Sequence, residues 1–221
     1  MMEAIGAKDE AAVLANFRLN GVAPAEVLEF LHREEALHGP GRVKSWFGSI
    51  DPNNTLVESI SVERVKDGKT ASSIAMLTPD ENGAWKLDFD SFAGKCEPTW
   101  KTVVSGEAGE GMVRIWFVED SYYNGVFVDE AEWLCFSMAR LDSDVRLFGY
   151  CRRNSPQAAA IASILNRVRT NNKNEMYPFR ATLAISRPEG AEKRQFEIKR
   201  VLAEDWLLTD KAFDGSPGPV K

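Results

Sequence analysis

The side chains of this 221-residue chain that could do chemistry fall into a few small groups. Asp88 and Asp90 alternate along Gly83–Phe92, GAWKLDFDSF. Read as a strand, that spacing sets them on one face, roughly 7 Å apart. Such a carboxylate pair serves as general acid and general base where a pocket raises one pKa. Trp85, Leu87 and Phe89 are the natural inward set of this strand, which turns the two aspartates outward. Arg152 and Arg153 precede Ser155-Pro156, a helix start whose N–H groups and dipole favour an anion. With Arg180 they form the best candidate ligand site, and Arg167 and Arg169 could join it. Cys151 stands beside the two arginines, and neighbouring cations can lower a thiol pKa. It also alternates with Gly149, which reads as packing.

Three further motifs carry less. The only histidines, His32 and His38, lie six residues apart and about 120° apart around a helix, whereas a zinc helix needs i and i+4. They read as a charged helix face with a local contact to Glu34 or Glu35, and no metal or cofactor is expected. Ser105–Gly111, SGEAGEG, fits neither a phosphate loop nor a dinucleotide fingerprint and reads as a flexible connection. Tyr122–Phe127, YYNGVF, sets aromatics in a loop between strands. Exposed, they would form a recognition surface; folded back, they would cover their own core.

The elements that must position these groups are short. Asp9 caps a first helix that Asn20-Gly21 ends, and Pro24 opens a second over residues 25–37. Val43, Trp46 and Phe47 form an apolar cluster before the turn Asp51–Asn54. A hairpin follows, Thr55–Val65 and Lys69–Thr78, closed at Asp67-Gly68. Asn82-Gly83 turns the chain into a third strand, Ala84–Phe92. After a break near Gly94 comes a helical turn at Thr99–Val104. Strands follow at Met112–Glu119, Glu132–Leu141 and Val145–Arg152, then a helix over 155–170, then strands Tyr177–Arg187 and Gln195–Leu208. Trp206 is expected to pack inward from the last strand. Asp214–Lys221 reads as a disordered tail.

The fold class is therefore α+β, with mostly antiparallel sheets each packed by a helix. Two domains are expected, 1–95 and 96–221, each a helix with a meander. The net charge of −6 argues against wrapping nucleic acid. Along the chain the charge is polarised. Arg140–Arg200 holds 13 Lys/Arg against 6 Asp/Glu, and Glu107–Glu132 holds 7 acids against one Arg. Solvated faces account for this, and so would a basic face for an anionic partner. Three cysteines at wide spacing predict reduced, buried thiols, although Cys135 and Cys151 lie on strands that could pair. No stretch is long and apolar enough for a membrane span. The doubled Met reads as an added start, ahead of which a leader could have been trimmed; the default compartment is the cytoplasm.

The helical start, the Asp67-Gly68 hairpin and GAWKLDFDSF together resemble cystatin-like or NTF2-like α+β domains, over roughly residues 10–95. The resemblance implies a helix wrapped by a curved antiparallel sheet. Residues 96–221, with YYNG, the W-x-C-F strand and FGYCRR, resemble the C-terminal part of uncharacterised bacterial proteins. Neither likeness fixes a function. The expected role is a non-enzymatic binding or protein-interaction module, with a protein or a small anionic ligand as partner. The alternative is a small-molecule binder, or a hydrolase or isomerase, with a pocket in the first domain that uses Asp88 and Asp90. The oligomeric state is not legible.

Overall fold

The computed structural model describes residues 2–50, 56–140, 143–171, 179–209 and 211–215. The chain forms two compact units, Met1–Gly94 and Lys95–Lys221.

The first unit begins with three helices, α1 (Met2–Ile5), α2 (Glu10–Asn16) and α3 (Pro24–His38). Asp9 caps α2 by accepting from the Ala12 N–H at 2.8 Å. The short strand β1 (Phe17–Arg18) separates α2 from α3. Four strands follow: β2 (Gly41–Ile50), β3 (Val57–Lys66), β4 (Lys69–Pro79) and β5 (Trp85–Asp88). The sheet order is β1-β5-β4-β3-β2, parallel between β1 and β5 and antiparallel elsewhere. Val27 and Leu31 of α3 and Phe17 of β1 pack with Val62, Ala75 and Leu87 of the sheet. Asp67 and Gly68 take φ of 51° and 74° and close the β3–β4 hairpin, as that dipeptide requires. Gly39 ends α3 at φ 87°, and a Cβ there would lie 2.7 Å from the Val65 carbonyl oxygen.

Two expectations for this unit need correction. Residues 43–47 belong to a fourth antiparallel strand, β2, and not to a loop cluster. Register shifts between Val43 and Ser45 and between Trp46 and Gly48 break its alternation. The third strand stops at Asp88, and Phe89–Phe92 forms a helical turn, α4. Asp88 is therefore turned in, not out, at 3% exposure. The turn expected at Asp51–Asn54 lies outside the described residues.

The second unit starts with α5 (Trp100–Ser105), capped by Thr99. Then come β6 (Glu110–Asp120), β7 (Trp133–Ala139), β8 (Leu147–Arg152), α6 (Pro156–Asn171), β9 (Phe179–Ser186) and β10 (Gln195–Ala203). The five strands close a barrel in the order β10-β8-β7-β6-β9. β8 and β10 pair in parallel, and the other four pairings are antiparallel. Val113, Ile115, Phe117, Phe136, Met138, Leu147, Cys151, Leu183 and Ile198 fill the interior, and Ile161, Ile164 and Leu165 of α6 join them. The two units thus differ in kind, an open sheet and a closed barrel, where a shared theme was expected.

Three corrections apply here. Ser105–Gly111 is not a loose connection: β6 begins at Glu110, and Arg187 Nη2 donates to the carbonyls of Gly106 and Ala108. The last strand ends at Ala203, and Trp206 lies beyond it, edge-on to Trp116 of β6 at 6.0 Å. Asp214 is bound rather than loose, since its Oδ2 accepts from the Val201 N–H at 2.6 Å; residues 216–221 lie outside the described residues. The cysteines need no correction: all three are free and buried, the state expected for them, and Cys135 and Cys151, though on paired strands, face opposite ways, one outside the barrel and one inside. No helix among the described residues is long and apolar enough to cross a membrane.

Candidate functional site

Strand alternation sorts β7 and β8 into an inner and an outer set. Phe136, Met138, Leu147 and Cys151 point into the barrel. Trp133, Cys135, Phe148 and Tyr150 face outward, where water is expected, and form a second apolar cluster with Phe127 and Tyr123. The loop between β6 and β7 covers this outer face. Phe127, from a 3-10 turn at Gly125–Phe127, stacks on Tyr150 with centroids 4.0 Å apart and rings 4° from parallel. It also meets Trp133 edge-on at 4.9 Å. Tyr122 stacks on Phe148 at 4.3 Å.

Hydrogen bonds fix the loop in place. The Tyr150 hydroxyl donates to the Tyr122 carbonyl at 2.6 Å, and the Cys135 thiol donates to the same oxygen at 3.5 Å. Both donors hold their protons. Burial pushes the Cys135 thiol up to about 11 and raises the Tyr150 phenol well above its ordinary range. Gln195, fully buried, donates to the Asn124 carbonyl and to the Tyr150 hydroxyl, both at 3.2 Å. Asn124 Nδ2 donates to Glu192 Oε1 at 2.8 Å, and the Tyr122 hydroxyl donates to Glu192 Oε2 at 3.2 Å. Of the two readings of YYNGVF, the structure has the loop folded back over a core. Asn124, Glu192 and Gln195 were not singled out from the sequence. Their signal is weak, because it is their contacts with distant residues that give them a role.

The candidate anion-site residues do not come together as one group. Arg152 ends β8, pairs with Glu132 at 2.8 Å and lies over the Trp133 ring at 4.6 Å. Arg153 Nε donates to the Glu130 carbonyl at 2.7 Å. Ser155 caps α6: its Oγ accepts from the Ala158 N–H and donates to the Arg152 carbonyl. Arg180 is elsewhere, on β9, which pairs with β6 and β10 but not with β8. It binds Asp205 at 2.5 Å and packs over Trp116 at 5.3 Å. Burial raises the Asp205 carboxyl above its usual range despite Arg180, and Glu204 is raised likewise despite its pair with Arg167 at 2.5 Å. The side chain of Arg169 lies outside the described residues.

Asp88 and Asp90 do not form an exposed pair either. Asp88 Oδ1 accepts from the Ser91 N–H and its Oδ2 from Asn20 Nδ2, each at 2.8 Å. That is the work of a helix cap. Cys151 points into the barrel, where burial pushes its thiol up to about 12 in spite of Arg153. A thiol held there is no nucleophile at neutral pH. His32 is exposed and His38 half-buried on α3, and no cluster of metal-ligating side chains occurs among the described residues.

Arg114, in the middle of β6, was also not singled out. It is 2% exposed, and its Nε donates to the Trp206 carbonyl at 2.8 Å and its Nη1 to the Lys95 carbonyl at 2.5 Å. Its role is to hold chain segments against the barrel. Compared with protein families, curated proteins and solved structures, the chain matches none.

Proposed function

We propose that this chain is a non-enzymatic binding module whose working part is the second unit, and that its partner is a protein. The observation that carries the reading is the β6–β7 loop. β6 and β7 pair directly, so a turn of about two to five residues would join them. About twelve intervene between Asp120 and Trp133. Ordering each residue costs about 1–2 kcal/mol, and ring stacking and hydrogen bonds offset that cost here. The result is a fixed surface feature, which suits recognition.

Topology gives separate support. A three-strand meander, a helix and a hairpin, closed by a parallel β8–β10 pair, resemble the five-stranded Greek-key barrel of the OB type. Such barrels use their second and third strands and the adjoining loops to bind oligonucleotides and oligosaccharides, so the topology supports a binding module and not the choice of a protein partner. The likeness is an analogy of fold, and fold alone does not assign a partner. For the first unit, the proposed cystatin-like or NTF2-like identity is supported by α3 laid on the sheet of β2–β5.

The competing reading, a ligand pocket or a hydrolase or isomerase site in the first unit, has less support because Asp88 already serves as a buried cap. A thermal-shift panel of divalent metals, nucleotides, sugars and small carboxylates against the full chain separates the two. A ligand at about 100 times its Kd stabilises by about 2.7 kcal/mol. The expected result is a single set of unmoved melting curves. A shift that Asp90→Asn removes would transfer the function to the first unit.

A further inference from the structure

We infer that Asn82 is the asparagine that deamidates spontaneously in the folded protein, and that isoaspartate formed there unlatches the β4–β5 turn. Asparagine followed by glycine occurs three times, at Asn20-Gly21, Asn82-Gly83 and Asn124-Gly125. Glycine has no Cβ to hinder its nitrogen, which makes this dipeptide chemically labile. The glycine nitrogen, after losing its proton to hydroxide, bonds to the asparagine Cγ. The Cγ–Nδ2 bond breaks, and Nδ2 leaves as ammonia with a proton taken from water. Water then opens the resulting cyclic imide at one of its two carbonyls. One opening leaves aspartate. The other leaves isoaspartate, whose main chain runs through Cβ and Cγ. Nothing is oxidised or reduced, and water is the only co-reactant.

All three asparagines are exposed, so access to water does not separate them. Their amide groups do. Asn20 Nδ2 donates to Asp88 Oδ2 and Asn124 Nδ2 to Glu192 Oε1, each at 2.8 Å. At both residues the nitrogen that must leave is held by a carboxylate, and the product would set a second carboxylate against the first. Asn124 Oδ1 also accepts from the Gly125 N–H at 2.7 Å, which ties up the attacking nitrogen. The Asn82 side chain makes no hydrogen bond among the described residues. A Cβ built on Gly83 would meet nothing within 4 Å, so the attacking nitrogen lies in open space. Its N–H donates to the Asp80 carbonyl at 2.9 Å, a turn bond exposed to water that opens readily.

The turn is built for a main chain of ordinary length. Asp80 Oδ1 accepts from the Asn82 and Ala84 N–H groups, each at 2.9 Å, and the Asp80 N–H donates to the Ala84 carbonyl at 2.8 Å. These bonds set Pro79 opposite Trp85 and so Leu77 opposite Leu87. Isoaspartate puts one more main-chain carbon between Asp80 and Ala84. β5 is four residues long, so its register depends on this turn.

The test is to hold the full chain at mildly alkaline pH, folded and in urea, and to follow its peptides by mass spectrometry, with isoaspartate labelled by the methyltransferase specific for it. In the folded chain residue 82 should convert at least about tenfold faster than residues 20 and 124, whose bonds must open first. In urea the three rates should converge. Equal rates in the folded chain, or a faster residue 20 or 124, overturn the assignment. So does the same order in urea, which would place the cause in the neighbouring residues and not in the fold. A folded chain in which residue 82 stays intact overturns it as well. Aged wild type should melt at a lower temperature than fresh protein, and aged N82Q should melt unchanged. Fresh N82D, which adds the charge without the extra carbon, should melt like fresh wild type. An unchanged melt for converted wild type, or an equal loss in aged N82Q or fresh N82D, overturns the unlatching.

Discussion

At the scale of single residues, the charged groups that could have done chemistry mostly hold the chain together. Asp205 shows the energetics. It is 8% exposed, its Oδ2 takes Arg180, and its Oδ1 is buried without a hydrogen bond among the described residues. Burial disfavours the charged carboxylate more than Arg180 favours it, so its folded pKa lies above its unfolded one. The sign of the linkage follows. Below the ordinary carboxylate range both states are protonated and there is no penalty. As pH rises through the interval between unfolded and folded values, only the unfolded state ionises, and stability falls. Above the folded value the loss is complete. D205N removes this titration, so urea midpoints from pH 4 to 8 should decline less in D205N than in wild type. A steeper decline in the variant would place the titration elsewhere, with Glu204 next to be tested.

At the scale of elements, β8 is the tightest fit. Gly149 points into the barrel, where a Cβ would meet Met138 Sδ at 2.7 Å and Ile198 Cδ1 at 3.1 Å. Overpacking of this kind costs about 1–3 kcal/mol. G149V should therefore lower the urea midpoint of unfolding without changing its slope, and M138A in the same chain should recover part of the loss. An unchanged midpoint for G149V would mean that the barrel is loosely packed at this level. The same strand shows how far the sequence could be read. Turn and cap chemistry is local, so Asp67-Gly68, Pro24 and Ser155-Pro156 marked their elements correctly. Barrel closure is not local. The β8–β10 and β6–β9 pairings join segments separated by α6 or more, and no local pattern records them. β2 escaped because its bulges break the period-two signal. β5 reads too long from the sequence because the alternation runs on through Phe89 and Asp90, after Asp88 has already turned to cap α4. The loop of the proposed surface was visible as YYNGVF, but which side of it faces water depends on Tyr150 and Phe148, two strands away in sequence.

At the scale of the molecule, the charge polarity along the chain is partly folded away. The basic segment 140–200 pairs Arg152 with Glu132 of the acidic segment, Arg167 with Glu204 and Arg180 with Asp205. Arg153 and Arg187 spend their donors on backbone carbonyls. Five of the segment's cations are thus committed within the fold, and the aromatics among them, Phe148 and Tyr150, lie under Tyr122 and Phe127. Single-strand binding needs the opposite arrangement, exposed rings for bases to stack on and cations left for phosphates. With a net charge of −6, long-range attraction to a polyanion is also lacking. The full chain should therefore pass through single-stranded DNA–cellulose unretained at about 50 mM salt, where proteins that neutralise several phosphates bind strongly. Retention that salt reverses would mean that the loop lifts from β7 and β8 to expose Tyr150, Phe148 and Arg152. F127A would then strengthen the retention by weakening the loop's hold, whereas a protein whose loop is a fixed docking surface gains no affinity for DNA from that change.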